Sequence, residues 1–232
     1  MRYLLLALLL VACNCGATDI HPAGRYEMVN ALSSATAEIM RERGDGTYTT
    51  KCGAVWLDER TLITAAHCVE ADESEIFDLL GLPHPPPAPV AYRTWSDALL
   101  SGQDPVKATR YALVTRFDRK HDLALLVIDG QPPSHSTVSL AGEEPYPGDP
   151  VHVMGHTMGY PWSYSPGTVA AIRDTLSPNG DQVHVVQVVS GANFGNSGGG
   201  LFNLRGELIG ICSFKTTDAV SFFMLGLGEF LR

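Results

Sequence analysis

The sequence predicts an all-β fold, a barrel or a sandwich. Two observations carry this expectation. From Cys52 onward the chain breaks into short apolar runs rich in Val, Ile, Leu and Thr, separated by clusters of Gly, Pro, Asn and Asp. Runs of that length and spacing read as strands joined by turns. The second observation is size. The chain has 232 residues, 45% of them apolar, which is enough to fill a sizeable core, and a double all-β barrel of this length reads as one unit.

The N-terminus comes first. Arg2 supplies a thin positive region, and the stretch from Tyr3 to Ala12 is apolar. That stretch has the length of a signal-peptide core and is too short to span a bilayer as a helix. Leu10-Val11-Ala12-Cys13 resembles a bacterial lipobox, whose cysteine is lipidated and becomes the new N-terminus. The alternative is an ordinary signal peptide cut after Ala17. Residues 1–17 are therefore expected to direct export, to the periplasm or cell envelope or into the medium. Membrane attachment through a lipidated Cys13 belongs to the first case. No other apolar stretch is long and uninterrupted enough to span a membrane.

Residues 18–47 form a polar N-terminal segment. Within 30–43, Ala31, Leu32, Ala35, Ile39 and Met40 are spaced for one weak apolar face, which reads as a short helix or a tether. From 48 to 232 a single domain is expected. Its strand candidates are 53–57, 61–64, 108–117, 123–128, 151–154, 167–172, 182–189, 200–203, 208–213 and 220–225, with a helical turn or two at 226–232. Residues 70–103 do not fit. Pro83, Pro85, Pro86, Pro87 and Pro89 follow a run of acids, and proline cannot donate to a ladder. This stretch is expected to be a surface insertion and not a central strand.

Charge and cysteines exclude several classes. The formal net charge is −9 and there is no Lys/Arg run, which disfavours a nucleic-acid partner. Export places the five cysteines where disulfides form. Cys52 lies on one apolar run, and a hairpin would return the chain to Cys68. Such a crosslink closes a loop of about 15 residues, worth roughly 3 kcal/mol by chain entropy. Cys15 and Cys212 are left over, and Cys212 reads as a buried free thiol. No CxxC pair or Cys/His cluster has zinc-site spacing, so neither a metal nor another cofactor is expected.

Three short stretches carry chemistry. In Thr64-Ala65-Ala66-His67-Cys68 a histidine follows a strand end, and a crosslink at Cys68 would steady its backbone, as a general base requires. In Gly195-Asn196-Ser197-Gly198-Gly199-Gly200 a serine sits among glycines. Serine is a weak nucleophile until a base takes its proton. The glycines admit turns that a Cβ forbids and leave room for a substrate carbonyl. The N–H groups of Gly195 and Ser197 could converge on a developing oxyanion, each donor being worth about 3 kcal/mol of barrier. Asp122 heads an apolar run, Leu123-Ala124-Leu125-Leu126-Val127-Ile128, and could lie at a barrel edge under the histidine to accept its ring N–H. Asp118 and Asp129 head no such run.

The order His67, Asp122, Ser197 is that of chymotrypsin and not of subtilisin or the α/β-hydrolases. TAAHC, DLALL and GNSGGGLF resemble the three sequence blocks of the chymotrypsin-like (trypsin-like) serine peptidases. The resemblance runs from about residue 50 to the C-terminus, apart from the proline-rich insertion. It implies two packed six-stranded antiparallel β-barrels with the site in the cleft between them. It further implies His67 as general base, Asp122 as its orienting partner, Ser197 as nucleophile, and Gly195 and Ser197 as oxyanion-hole donors. Residues 52–68 look like the secreted trypsin branch. Gly148-Asp149-Pro150-Val151, Gly155, Gly195-Asn196-Ser197, Asn203 and Gly206-Glu207-Leu208-Ile209-Gly210 look closer to the bacterial HtrA-type proteases. Those usually carry a peptide-binding PDZ domain after the protease, and this sequence ends too soon for one.

Two departures bear on regulation and specificity. Trypsin-type enzymes have an aspartate before the nucleophile that pairs with a new N-terminus after zymogen cleavage; here that place is Asn196, and no Ile-Val-Gly-Gly-like start precedes Cys52. An enzyme needing no zymogen cleavage is expected. The trypsin pattern also has an acid six residues before the serine, where this chain has Gly191. Ser213, Phe214 and Lys215, with Ser221, Phe222 and Phe223 opposite, are expected to wall a pocket for a neutral, small or aliphatic residue. His152 and His156 lie near the cleft edge and read as exposed or hydrogen-bonded histidines. The expected activity is a serine endopeptidase acting on a protein or peptide. The alternatives are an inactive protease-like binding module and a small-ester hydrolase.

Overall fold

The structure, a computed structural model, describes residues 22–70, 88–100, 109–217 and 220–232. The signal segment with Cys13 and Cys15, and residues 83–87 of the proline-rich insertion, lie outside the described residues.

The chain forms two closed antiparallel barrels of six strands each. Helix α1 (Pro22–Ser34) leads into the first, built from β1 (Thr36–Glu42), β2 (Tyr48–Trp56), β3 (Thr61–Thr64), β4 (Val90–Thr94), β5 (Arg110–Asp118) and β6 (Leu123–Ile128). The second comprises β7 (Pro150–Gly155), β8 (Ser163–Leu176), β9 (Gln182–Ser190), β10 (Gly200–Phe202), β11 (Leu208–Thr217) and β12 (Val220–Met224). Both follow one strand order, β1-β2-β3-β6-β5-β4 and β7-β8-β9-β12-β11-β10, each ring closing on its first strand. Short helices α2 (Trp95–Leu100) and α3 (Leu227–Phe230) complete the chain, α3 supplying the expected C-terminal helical turn. No helix among the described residues is long and apolar enough to cross a membrane.

Two sequence expectations need correction. The stretch 30–43 is not one helix. Helix α1 begins earlier and stops at Ser34, where the Thr36 hydroxyl donates to Leu32 O at 2.8 Å and the chain turns into β1. The first barrel thus begins at Thr36, inside the segment 18–47 that was expected to precede the domain. Nor is 70–103 wholly a surface insertion. Val90–Thr94 is β4, buried along its length and paired with both β1 and β5. The prolines end at Pro89, so every residue of β4 keeps its N–H.

One apolar core joins the barrels. Trp56, Leu62, Leu123 and Leu126 of the first pack in the same cluster as Met154, Phe202, Ile211 and Met224 of the second. A second cluster, with Val153, Val186, Val188 and Phe223, belongs to the second barrel alone.

Candidate active site

The structure brings His67 and Asp122 together. His67 lies on a single turn of 3-10 helix just after β3. Asp122 stands at the head of β6 with φ +50°. Aspartate is among the few side chains that tolerate this left-handed region, and such residues gather at functional sites. His67 Nδ1 lies 2.8 Å from Asp122 Oδ2 and 3.0 Å from Oδ1. The His67 backbone N–H donates to Oδ1 at 2.9 Å, and the Ser213 hydroxyl donates to Oδ2. A carboxylate only accepts, so Nδ1 carries the ring proton and the neutral ring keeps its lone pair on Nε2. The carboxylate is largely shielded, its side chain 14% exposed, while the ring is 43% exposed. Of the competing acids, Asp118 is bonded to His121 at 2.7 Å, and the Asp129 carboxylate accepts the N–H of Gly130.

The glycine loop is tied to both barrels. The Gly53 N–H donates to Ser197 O at 2.7 Å, and Gly53 adjoins Cys52. The Sγ atoms of Cys52 and Cys68 are at bonding distance, with Cα atoms 5.9 Å apart, so the glycine loop is linked through Gly53 and Cys52 to the turn carrying His67. Gly198 N–H donates to Cys212 O, and Cys212 N–H returns to Gly199 O. Gly198 has φ +76°, and a Cβ there would lie 2.2 Å from Gly53 O and from Thr64 Oγ1, so only glycine fits. Thr64 holds that wall by donating to Gly53 O at 2.7 Å. In this loop the N–H groups of Asn196, Gly198 and Gly199 are paired within the protein. Those of Gly195 and Ser197 have no partner among the described residues. The Ser197 hydroxyl likewise makes no hydrogen bond among the described residues; in unliganded sites the serine–histidine bond is often not yet closed.

Asn196 is 1% exposed. Its Nδ2 donates to Thr157 Oγ1 at 2.8 Å and to Asn193 O at 3.2 Å, while its Oδ1, buried against Gly155, has no partner among the described residues. Around the expected pocket, Ser213 sits on Asp122, and Phe214 stacks on Phe222 with ring centroids 4.8 Å apart. Lys215 lies opposite Ser221, its ammonium donating to Asn193 Oδ1 and resting 3.8 Å from the Phe194 ring centroid. Gly191 ends β9 beside Ser165, and Phe223 faces the other way, into the core of the second barrel. His152 is half-buried and bonded to the Tyr164 hydroxyl at 2.8 Å, with burial lowering its pKa. Burial and the Asp122 charge push the Cys212 thiol up to about 12, so it stays protonated and inert. Cys52, His67 and Cys68 present ligand atoms within 4.8 Å of one another, but sulfurs at bonding distance offer no thiolate to a metal.

The sequence did not reveal Thr64 and Thr157 as supports of the glycine loop, nor Ser213 as a partner of Asp122. A hydroxyl that braces a loop from another element has no periodicity or spacing to mark it.

Two six-stranded barrels, with a histidine–aspartate pair at the head of β6 and a serine in a glycine loop, define the class of trypsin-like folds. The family description "Trypsin-like peptidase domain" matches residues 52–211, and the chain belongs to that family. It is similar to a "Probable periplasmic serine endoprotease DegP-like" of Pseudomonas putida, 40% identical over 97 residues, 41% of this chain and 20% of the relative. It is also similar to a "Serine protease Do-like HtrA" of Lactococcus lactis, 32% identical over 141 residues, 57% of this chain and 34% of the relative. The chain thus spans about a third or less of these curated relatives. Among solved structures, the active form of the Rv3671c protease from M. tuberculosis superposes with TM-score 0.67 at 17% identity, covering 88% of this chain and 81% of that one. That similarity is one of fold.

Proposed function

We propose that the protein is an exported serine endopeptidase. In this reading Ser197 is the nucleophile, His67 the general base and Asp122 the residue that orients the base. The observation that carries the reading is the His67–Asp122 pair, which commits the ring proton to Nδ1 and leaves Nε2 basic. Ser197 Oγ attacks the peptide carbonyl carbon as its proton passes to Nε2. The carbonyl π electrons move to oxygen, where the N–H groups of Gly195 and Ser197 receive the charge. Collapse expels the amine, which takes the proton from Nε2, and leaves an ester on Ser197. Water then attacks that ester, giving its proton to Nε2. The acid product departs and the proton returns to Ser197.

Three features refine the proposal. The Asn196 side chain already has hydrogen-bond partners in the uncut chain, which supports activity without zymogen cleavage. The stacked Phe214–Phe222 pair, the crowded Lys215 and the uncharged Gly191 favour a neutral, small or aliphatic residue before the cut bond. The periplasmic names of the relatives agree with the N-terminal signal, with or without lipid on Cys13, and with an oxidised Cys52–Cys68 crosslink.

The test is labelling of the purified chain by a fluorophosphonate probe, with Ser197→Ala as control. Labelling that disappears in the variant is expected. A folded but unlabelled wild type would overturn the proposal and favour a protease-like binding module. Turnover of esters with none of peptides would favour the small-ester hydrolase.

A further inference from the structure

The loop behind the two free donors has a support of its own. His156 follows β7 and is fully buried. Its Nε2 lies 3.1 Å from the carbonyl of Ala37, on β1 of the first barrel. Its Nδ1 accepts the backbone N–H of Trp162 at 3.1 Å. The ring is therefore neutral with its proton on Nε2, and it links the first barrel to a loop of the second. The Trp162 indole N–H adds a parallel link, donating to Thr36 O at 3.0 Å.

What this clamp holds is a strained loop. Met158 and Trp162 both have positive φ, +56° and +52°, which neither side chain favours. Residues in such conformations persist only where surrounding contacts over-determine them. The loop in turn backs the glycine loop at three points. The His156 carbonyl packs against Gly195, leaving no room for a Cβ, which would stand 2.2 Å from it. The Met158 N–H donates to Phe194 O at 2.6 Å. Thr157 Oγ1 accepts from Asn196 Nδ2 at 2.8 Å. Every residue from Phe194 to Asn196 is thus braced by residues 156–158.

We propose that His156 is a positioning residue for the oxyanion donors, its neutral imidazole clamping the 156–162 loop to the first barrel so that the N–H groups of Gly195 and Ser197 stay aimed at the substrate carbonyl. The inference rests on the serine-peptidase reading. It also names the device that replaces zymogen activation: the brace is an internal side chain and needs no new N-terminus.

Charge around the ring is balanced. Glu38 of β1 and Arg93 of β4 both face it, joined to each other in a buried ion pair. Trp162 packs edge-on at 5.3 Å between centroids. Protonation would turn Nδ1 from an acceptor into a donor pointed at the Trp162 N–H, breaking the clamp.

The experiment uses the mature chain and two variants, His156→Ala and His156→Gln. The glutamine keeps an amide donor and an amide acceptor but loses the rigid ring that fixes both between Ala37 O and the Trp162 N–H. Folding is read by circular dichroism. Steady-state kcat and KM are measured on one peptide substrate, with the Ki of a peptidyl aldehyde, which forms a tetrahedral adduct on the serine. Loss of oxyanion stabilisation predicts a fall in kcat of ~100-fold for His156→Ala and at least ~10-fold for His156→Gln, with matching weakening of aldehyde binding and KM within about threefold. A folded variant with wild-type kcat and aldehyde Ki overturns the inference, as does a loss carried by KM alone. If neither variant folds, His156 is a stability residue and the inference also fails. A wild type that no fluorophosphonate labels instead refutes the serine-peptidase reading itself, and the inference falls with it.

Discussion

At the scale of single residues, protons and cavities decide most outcomes. Asp122 fixes the His67 tautomer through two side-chain contacts and a backbone N–H. Asp122→Asn keeps the shape but permits the wrong tautomer. Its kcat should fall about 10⁴-fold with little change in stability. Peptide turnover and a urea titration on one sample check both halves. His156 governs a different response. Burial lowers its pKa from 6.5 to about 4. Between those values the unfolded chain takes up a proton that the folded one refuses. The contribution of this residue is therefore complete above about pH 6.5, shrinks as pH falls and levels off below about pH 4, a loss on the order of 3 kcal/mol. Urea midpoints at pH 7, 5 and 4 should show that slope in the wild type, and His156→Gln should remove its share of it. Equal slopes in the two proteins would contradict the assignment.

At the scale of elements, the same physics explains what the sequence revealed. The runs that became β2, β3 and β5 to β12 were legible because each is a short stretch rich in apolar and β-branched residues set between turn residues. β1 and β4 were not. Five consecutive residues are buried in each, so neither shows the alternation that marks a strand with one wet face. Each also carries a charge within that buried run. Glu38 and Arg93 stand directly opposite in the ladder and pair out of water. A charge satisfied by a cross-strand partner cannot be told from a surface charge without knowing the partner. The site divides the same way. His67, Asp122 and Ser197 were singled out by their local motifs, whereas Thr157 and His156 make their contacts with distant elements. The Cys52–Cys68 crosslink joins β2 to the turn carrying His67 across a separation of 16 residues. Replacing both by serine should cost ~3 kcal/mol in a urea titration under oxidising conditions, with kcat close to wild type if the turn keeps its place.

At the scale of the whole molecule, the barrels share an apolar core and are pinned across their seam by His156, the Trp162 indole and the Gly53–Ser197 contact. A shared core makes separate melting costly. Calorimetry should give one transition with calorimetric and van't Hoff enthalpies in agreement, and two resolved peaks would show the barrels to be independent.

The position of Ser197 within the strand order has a consequence in time. Ser197 lies just before β10, and β10 is the strand that seals the second ring by pairing with β7. Its own carbonyl is held by Gly53 of the first ring. Both rings join strands far apart in sequence, and such closures are slow. If Ser197 is the nucleophile, as proposed, its reactivity should therefore be acquired at the end of folding. On that reading a half-folded chain carries His67, Asp122 and Ser197 without their assembled geometry and harms nothing. During refolding from urea, fluorophosphonate reactivity should return with the slowest phase of the tryptophan signal. Reactivity that returned ahead of that phase would mean the site assembles before the rings close.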